Sequence, residues 1–341
     1  MRPSILLHIK TVAAAAIGCL LAACSDSGGD DSIADDDLRV AFTLSVDDAQ
    51  TRAAAGWDDY DPTDPGTVAE SAINPDDIRI KVCAADGSVL GNVGDVHMTR
   101  TSKSEYAITG TWSDAKRLVS RARKVMVLAN CGEAAEAADI SNIEYSLADT
   151  KRYIPMWGVG SFSSLALGKS TDIGDIDMLR AMAKVSVQLR DDMGAKGYTI
   201  GSLSINGYNT RGYSVPLTFR SVGKTTDIRF ATSLHPLDSK ATDGPLFFTD
   251  YGYAYIPEYS NTQSADSPST ISVDLFRNGE HEGYYTLQFR GYDSDGAPTG
   301  TPYDIQRNHY YQFVIYKHDD RTIVTLHVRK WFERLHEDII L

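Results

Sequence analysis

From residue 39 onward the chain alternates. Val40, Phe42, Leu44 and Val46 fall on one face, with Arg39, Ala41, Thr43 and Ser45 opposite. Period two predicts a half-buried strand. Ile78, Ile80 and Val82 repeat the pattern against Arg79 and Lys81, and Tyr106 and Ile108 follow. Val125–Leu128 is a continuous apolar run, which suits a strand covered on both faces. Val185, Val187 and Leu189 alternate with Lys184, Ser186 and Gln188. Further strands are predicted at Ile200–Ile205, Ile228–Phe230, Tyr253–Ile256, Ile271–Phe276, Tyr284–Phe289, Tyr310–Tyr316 and Thr322–Val328. Turn-forming clusters separate them, including Ala85-Asp86-Gly87, Asn206-Gly207 and Asn278-Gly279. Two stretches read as helix: Ser113–Arg123, with Ser113 as N-cap, and Glu133–Ile140. Many short strands between turns predict an all-β fold of antiparallel β-sandwiches with a few short helices.

The first residues follow another rule. Residues 1–23 carry Arg2 and Lys10, no acid, and the apolar run Val12–Leu21. That run is shorter than the ~20 residues that span a bilayer, so the segment reads as a signal peptide. It ends Leu21-Ala22-Ala23-Cys24, which resembles a bacterial lipobox. The resemblance implies that Cys24 is lipidated and becomes the mature N-terminus. Several acyl chains together anchor stably where one does not. Ser25–Asp37 holds six Asp and no bulky apolar residue except Ile33, so residues 24–37 form an acidic tether that cannot bury a core. Acidic runs after a lipidated Cys also resemble the surface-export signals of Bacteroidota lipoproteins; a plain solvated tether is the other reading.

The chain has 341 residues, about two domains at ~100–200 residues each. Leu165–Asp177 is rich in small and acidic residues and precedes the strand at Ala183–Arg190, which puts the border between domains 38–178 and 179–341. A net charge of −13 repels phosphate backbones and argues against nucleic-acid partners. Residues 49–75 are rich in Pro, Gly and Asp, with Arg52 as the only base between Val40 and Asp77. A loop of that length is usually functional or disordered.

Chemistry-bearing motifs are sparse. The chain contains no HExxH, GxSxG, Walker or Rossmann pattern. Gly158-Val159-Gly160-Ser161 lacks a third glycine and reads as a turn. Asp293-Ser294-Asp295-Gly296 resembles the opening of a calcium loop, but its twelfth position is Asp304 instead of Glu, which favours a hairpin turn. His309, His318 and His327 fit no metal template. Cys83 and Cys131 are either a disulfide or two buried thiols. The acid pairs Asp191-Asp192 and Asp58-Asp59 read as solvated charge. Neither metal nor cofactor is expected, nor an enzymatic activity.

Several segments in order resemble the fimbrillin superfamily of Bacteroidota, the subunits of type V pili. They are Ile154-Pro155-Met156-Trp157-Gly158, Leu179 to Val187, Tyr255-Ile256-Pro257-Glu258-Tyr259, Arg307-Asn308-His309-Tyr310-Tyr311, and Val324 to Trp331. The resemblance implies two transthyretin-like β-sandwich domains. It also implies a structural role in a fimbrium at the cell outer membrane, supporting adhesion. In stalk subunits of that family an arginine-specific protease removes the first strand, and a strand of another subunit fills the groove. The positions this implies are Arg52 as cleavage site and Val40, Phe42, Leu44 and Val46 as the leaving strand. The donor strand would be Val324, Leu326 and Val328, or the tail with Ile339 and Leu341. Partners are then other fimbrial subunits, the protease, and the outer membrane through lipid. Anchor subunits keep their lipid and are not cut. Two other classes stay open: a surface glycan- or host-binding lipoprotein, with Tyr251, Tyr253, Tyr255 and Tyr259 as candidate stacking residues, and a secreted hydrolase.

Overall fold

The computed structural model describes residues 36–46 and 68–330, apart from 103, 137–138, 151–152, 226–227, 229–233, 240–243, 250–251, 265–266 and 319–320. Cys24, Arg52, Tyr251, Ile339 and Leu341 lie outside the described residues.

The first unit is a ring of strands: β1 (Leu38–Ser45), β2 (Ile78–Ala84), β3 (Val89–Arg100), β4 (Glu105–Trp112), β5 (Ala122–Ala129), β7 (Met156–Ser161) and β8 (Ser170–Arg180). Their order is β1-β4-β3-β2-β5-β7-β8, and β8 returns to pair with β1 in parallel. The alternating residues of β1 face the centre, where Ile80, Val82, Ile108, Val125, Val127, Ile176 and Met178 complete one core. β5 is buried on both faces as its continuous run predicts. Val125 and Val127 join that inner core, while Met126 and Leu128 join a second one outside the ring.

The second unit has two facing sheets. One has the order β13-β9-β18-β19, from β9 (Met182–Leu189), β13 (Tyr253–Pro257), β18 (His309–His318) and β19 (Arg321–Lys330). The other has the order β12-β10-β14-β15, from β10 (Tyr198–Asn206), β12 (Leu246–Phe247), β14 (Thr270–Arg277) and β15 (Glu280–Gln288). Val185, Val187, Ile256, Phe313 and Ile315 meet Ile205, Ile271, Val273 and Leu287 between them. Asn278 and Gly279 both have positive φ, as the tight β14–β15 hairpin needs. Single Ala181 separates β8 from β9.

A strap joins the units. After β10 the chain pairs β11 (Arg211–Tyr213) with β6 (Glu144–Ser146), then lays Val215, Phe219, Val222 and Ile228 over Met126, Leu128, Trp157 and Val159 on the outside of the ring. Thr225 Oγ1 accepts from the Val159 amide at 2.7 Å, and Lys124 Nζ donates to the Arg220 carbonyl at 3.1 Å.

Several expectations are corrected. Ser113–Arg123 is not a helix: two 3-10 turns (115–117 and 119–121) follow Asp114, whose φ of 55° breaks the helical path. From Ala122 the chain is claimed by pairing with β2, so long-range strand pairing overrides local propensity. The described residues of Glu133–Ile140 form short 3-10 turns at Glu133–Glu136 and from Ile140, after positive φ at Asn130 and Gly132. β8 begins at Ser170, inside the stretch of small and acidic residues before the domain border. Two strand pairs are parallel, β1 with β8 and β9 with β18, in otherwise antiparallel sheets. Gly158 and Gly160 lie within β7 instead of a turn. A Cβ on Gly158 would stand 2.7 Å from the Asp177 carbonyl, so the glycine lets β7 and β8 close on each other. Asp191 and Asp192 open a short helix, α1 (Asp191–Ala195), where Asp192 takes Arg190 and Lys196 at 2.7 Å each.

Candidate functional site

Val40, Phe42, Leu44 and Val46 are each no more than 1% exposed. Full burial of such side chains is worth ~1.5–3 kcal/mol each, making β1 a large part of the ring's core. β1 pairs with β4 from Leu38 opposite Trp112 to Ser45 opposite Glu105, and with β8 from Arg39 opposite Ser170 to Ser45 opposite Asp177. The β8 register shifts between Ala41 and Thr43, where Gly174 takes a φ of 84°. Taking β1 out would break the ring, bare the edges of β4 and β8, and open an apolar trough between them.

The far end of β1 runs into a polar joint that the sequence did not disclose. Arg180, the last residue of β8, is fully buried. Its Nε donates to the Glu70 carbonyl at 2.8 Å, Nη1 to Asn308 Oδ1 at 3.2 Å and to the Val46 carbonyl at 3.5 Å, and Nη2 to Ser71 Oγ at 3.2 Å. Glu70 in turn takes Lys184 at 2.8 Å and the Tyr255 hydroxyl at 2.6 Å. Lys184 sits 3.9 Å from the centre of the Tyr253 ring. Burial pushes the Glu70 carboxyl up, but Lys184 and the hydrogen bonds from Lys184 and Tyr255 outweigh it and hold it below the usual range. The joint gathers the end of β1, the segment after it, β8, β9, β13 and the approach to β18. A signal was present: Arg180 is a lone cation inside Met178-Leu179-Arg180-Ala181-Met182.

A second buried cation holds the root of the strap. Arg307 donates to Glu258 at 3.0 Å and to the carbonyls of Ser214 and Tyr213 at 2.8 and 2.9 Å.

The other positions are placed as follows. Val324 is buried in the second core and Leu326 packs against it, while Val328 is 41% exposed. They lie opposite Ile315, Phe313 and Tyr311 of β18, so β19 already serves its own sheet. Tyr253 and Tyr255 are spent on the joint, and Tyr259 is fully buried with its hydroxyl on Ser269. These three tyrosines are packing, not a stacking surface; Tyr251 lies outside the described residues. Cys83 and Cys131 are buried free thiols, and burial pushes each up to about 12. Asp293 caps its own turn by accepting from Asp295 and Ala297, and Asp304 accepts from Ser260 and Thr262. That resolves the calcium-like stretch as a hairpin with β16 (Gly291–Tyr292) and β17 (Pro298–Thr299). His309 is buried on the Arg307 carbonyl and His318 is exposed at the end of β18. Among the described residues, no group of three His, Cys, Asp or Glu side chains is placed to hold a metal.

A family model described as fimbrillin-A associated anchor proteins Mfa1 and Mfa2 matches residues 137–337, more than half of the chain. The chain belongs to this family. The fimbrillin-type resemblance is thereby established, the strands show the all-β fold, and the chain is of the fimbrial subunit, anchor or adhesin type. Among solved structures it is similar to the tip fimbrial protein Mfa3 from Porphyromonas gingivalis with C-terminal truncation, at 13% identity and a TM-score of 0.53. The match covers 86% of this chain and 100% of that one. At that identity the likeness shows the fold alone. The fimbrial anchor protein Mfa2 from Porphyromonas gingivalis matches at 11% identity and a TM-score of 0.28, over 88% of this chain and 100% of that one. No curated protein sequence matches the chain.

Proposed function

We propose that the protein is a fimbrial subunit, without catalysis, that is exported as a lipoprotein through Cys24 and joins the fimbrium at the outer-membrane surface by strand exchange at the β1 slot. The observation that carries this reading is β1 itself: a single strand of four fully buried plugs, held between β4 and β8, followed by the segment that holds Arg52. Backbone hydrogen bonds along β4 and β8 would receive an incoming strand, and the emptied positions of Val40, Phe42, Leu44 and Val46 would accept alternate side chains. Cleavage after Arg52 by an arginine-specific protease would free β1. Because β19 packs into its own sheet, the donor to a neighbouring subunit is more economically drawn from the tail with Ile339 and Leu341 than from Val324, Leu326 and Val328.

The family match favours a second reading, an anchor subunit that keeps its lipid and its β1. The N-terminus of the protein on the cell surface separates the two. A start at Ala53 supports the processed subunit, with Arg52→Ala blocking polymer growth. A lipidated Cys24 start, with Arg52→Ala silent, supports the anchor. A start at neither residue would sink both.

A further inference from the structure

β14 alternates cleanly. Ile271, Val273 and Leu275 are buried, which puts Thr270, Ser272, Asp274 and Phe276 on the outer face of their sheet. A phenylalanine on that face is out of place, and it has company. Phe276 lies opposite His281 of β15, and Asp274 lies opposite Tyr284. The His281 ring stands 5.5 Å from the Phe276 ring, edge to face, and 4.5 Å from the Tyr284 ring. Tyr284 is 78% exposed. His281 Nε2 lies 2.9 Å from Asp274 Oδ1, with the imidazole between the two other rings.

The neighbouring strand makes room for this platform. A Cβ on Gly201 of β10 would stand 2.4 Å from the Phe276 ring, so the glycine lets that ring lie across the sheet. Exposed Ser202, opposite Asp274 on β10, adds a hydroxyl beside the carboxylate. None of these residues belongs to the β1 slot or to the joint at Arg180.

We infer that this face is a saccharide-binding site for a neutral oligosaccharide. Exposed aromatic clusters mark interaction sites more often than scattered apolar residues do. Here the rings adjoin a carboxylate and a hydroxyl, and one of the rings is itself an imidazole. A sugar ring has the matching character: an apolar C–H face to lie on Tyr284 and hydroxyls to bond Asp274, His281 and Ser202. Asp274 puts a carboxylate on the platform itself and the chain carries a net charge of −13, so an anionic glycan or a phosphate backbone is repelled.

The test is binding of the labelled full chain to an array of neutral gluco-, manno-, galacto- and xylo-hexaoses beside sialylated and sulfated glycans. Saturable binding to a neutral class is expected, about tenfold weaker for Tyr284→Ala, which removes the stacking ring. Tyr284→Phe should keep that binding, and Leu217→Ala, another exposed apolar position, should leave it unchanged. No saturable binding to any neutral glycan, capture of sulfated or sialylated glycans alone, or equal binding by Tyr284→Ala would each overturn the inference. The outcome is independent of the mature N-terminus, so it stands or falls apart from the strand-exchange reading.

Discussion

Glu70 and Lys184 form a buried ion pair, 2.8 Å apart, that ties the segment after β1 to the first strand of the second unit. Neither side chain is more than 7% exposed. Removing one partner leaves the other charge buried and uncompensated. Glu70→Gln should therefore cost ~3–5 kcal/mol, read from the midpoint of urea unfolding. An unchanged midpoint would refute a structural role for the pair.

The same pair sets an acid sensitivity. The folded carboxyl of Glu70 lies below the ordinary range, against ~4.3 for an unfolded Glu. A lowered folded value gives stability that is fully present above the unfolded value and is lost as pH falls through the folded one. In Glu70→Gln the fall of melting temperature below pH ~4.3 should be shallower than in the parent chain. Parallel slopes would contradict this assignment.

Arg180 needs its planar fork. Its three nitrogens serve three segments, at Val46, Glu70-Ser71 and Asn308, and a lysine ammonium cannot reach all of them together. Arg180→Lys is expected to destabilise the chain by ~1–3 kcal/mol, and Arg180→Ala by more. Denaturant titration of the two variants checks the ranking.

β1 offers a graded comparison. Phe42 is 1% exposed, and Phe42→Ala should cost ~3–5 kcal/mol. Arg39 is half-buried on the opposite side, and Arg39→Ala should stay within ~0.5 kcal/mol. Equal losses would mean that the strand is not held by its inward face.

Both thiols should be silent in the folded chain. With Cys83 and Cys131 pushed up to about 12, thiolate is a trace at pH 8 and the sulfurs are covered. Maleimide should label neither residue in native protein and both in urea. Labelling at native pH 8 would require a different packing under the strap.

Much of the fold is written in local alternation. β1 and β14 are legible because one of their faces meets the core and the other does not. β5 is legible because both faces do. β8 hides its period: Asp172, Asp175 and Asp177 lie on it, and the bulge at Gly174 shifts the alternation midway. The first supposed helix fails because pairing with β2 claims its last residues from Ala122. The joint at Arg180 and the strap are illegible for a different reason. Their partners are far apart in sequence, and Arg180, though a lone cation among apolar neighbours, does not reveal in sequence which carbonyls it meets. The aromatic platform on β14 and β15 follows from register, which brings Phe276 beside His281 only after the hairpin is closed.

The strap has a mechanical meaning. Ala181 alone is a thin covalent link between the two units, and a pull along the molecule would concentrate there. With Phe219 and Val222 seated on the ring, Thr225 bonded to β7 and Glu70 paired with Lys184, the strap and the joint share that load. The strap must be peeled sideways before the units can separate. A component of a fibre exposed to flow would gain resistance to extension without a longer interface or a covalent cross-link.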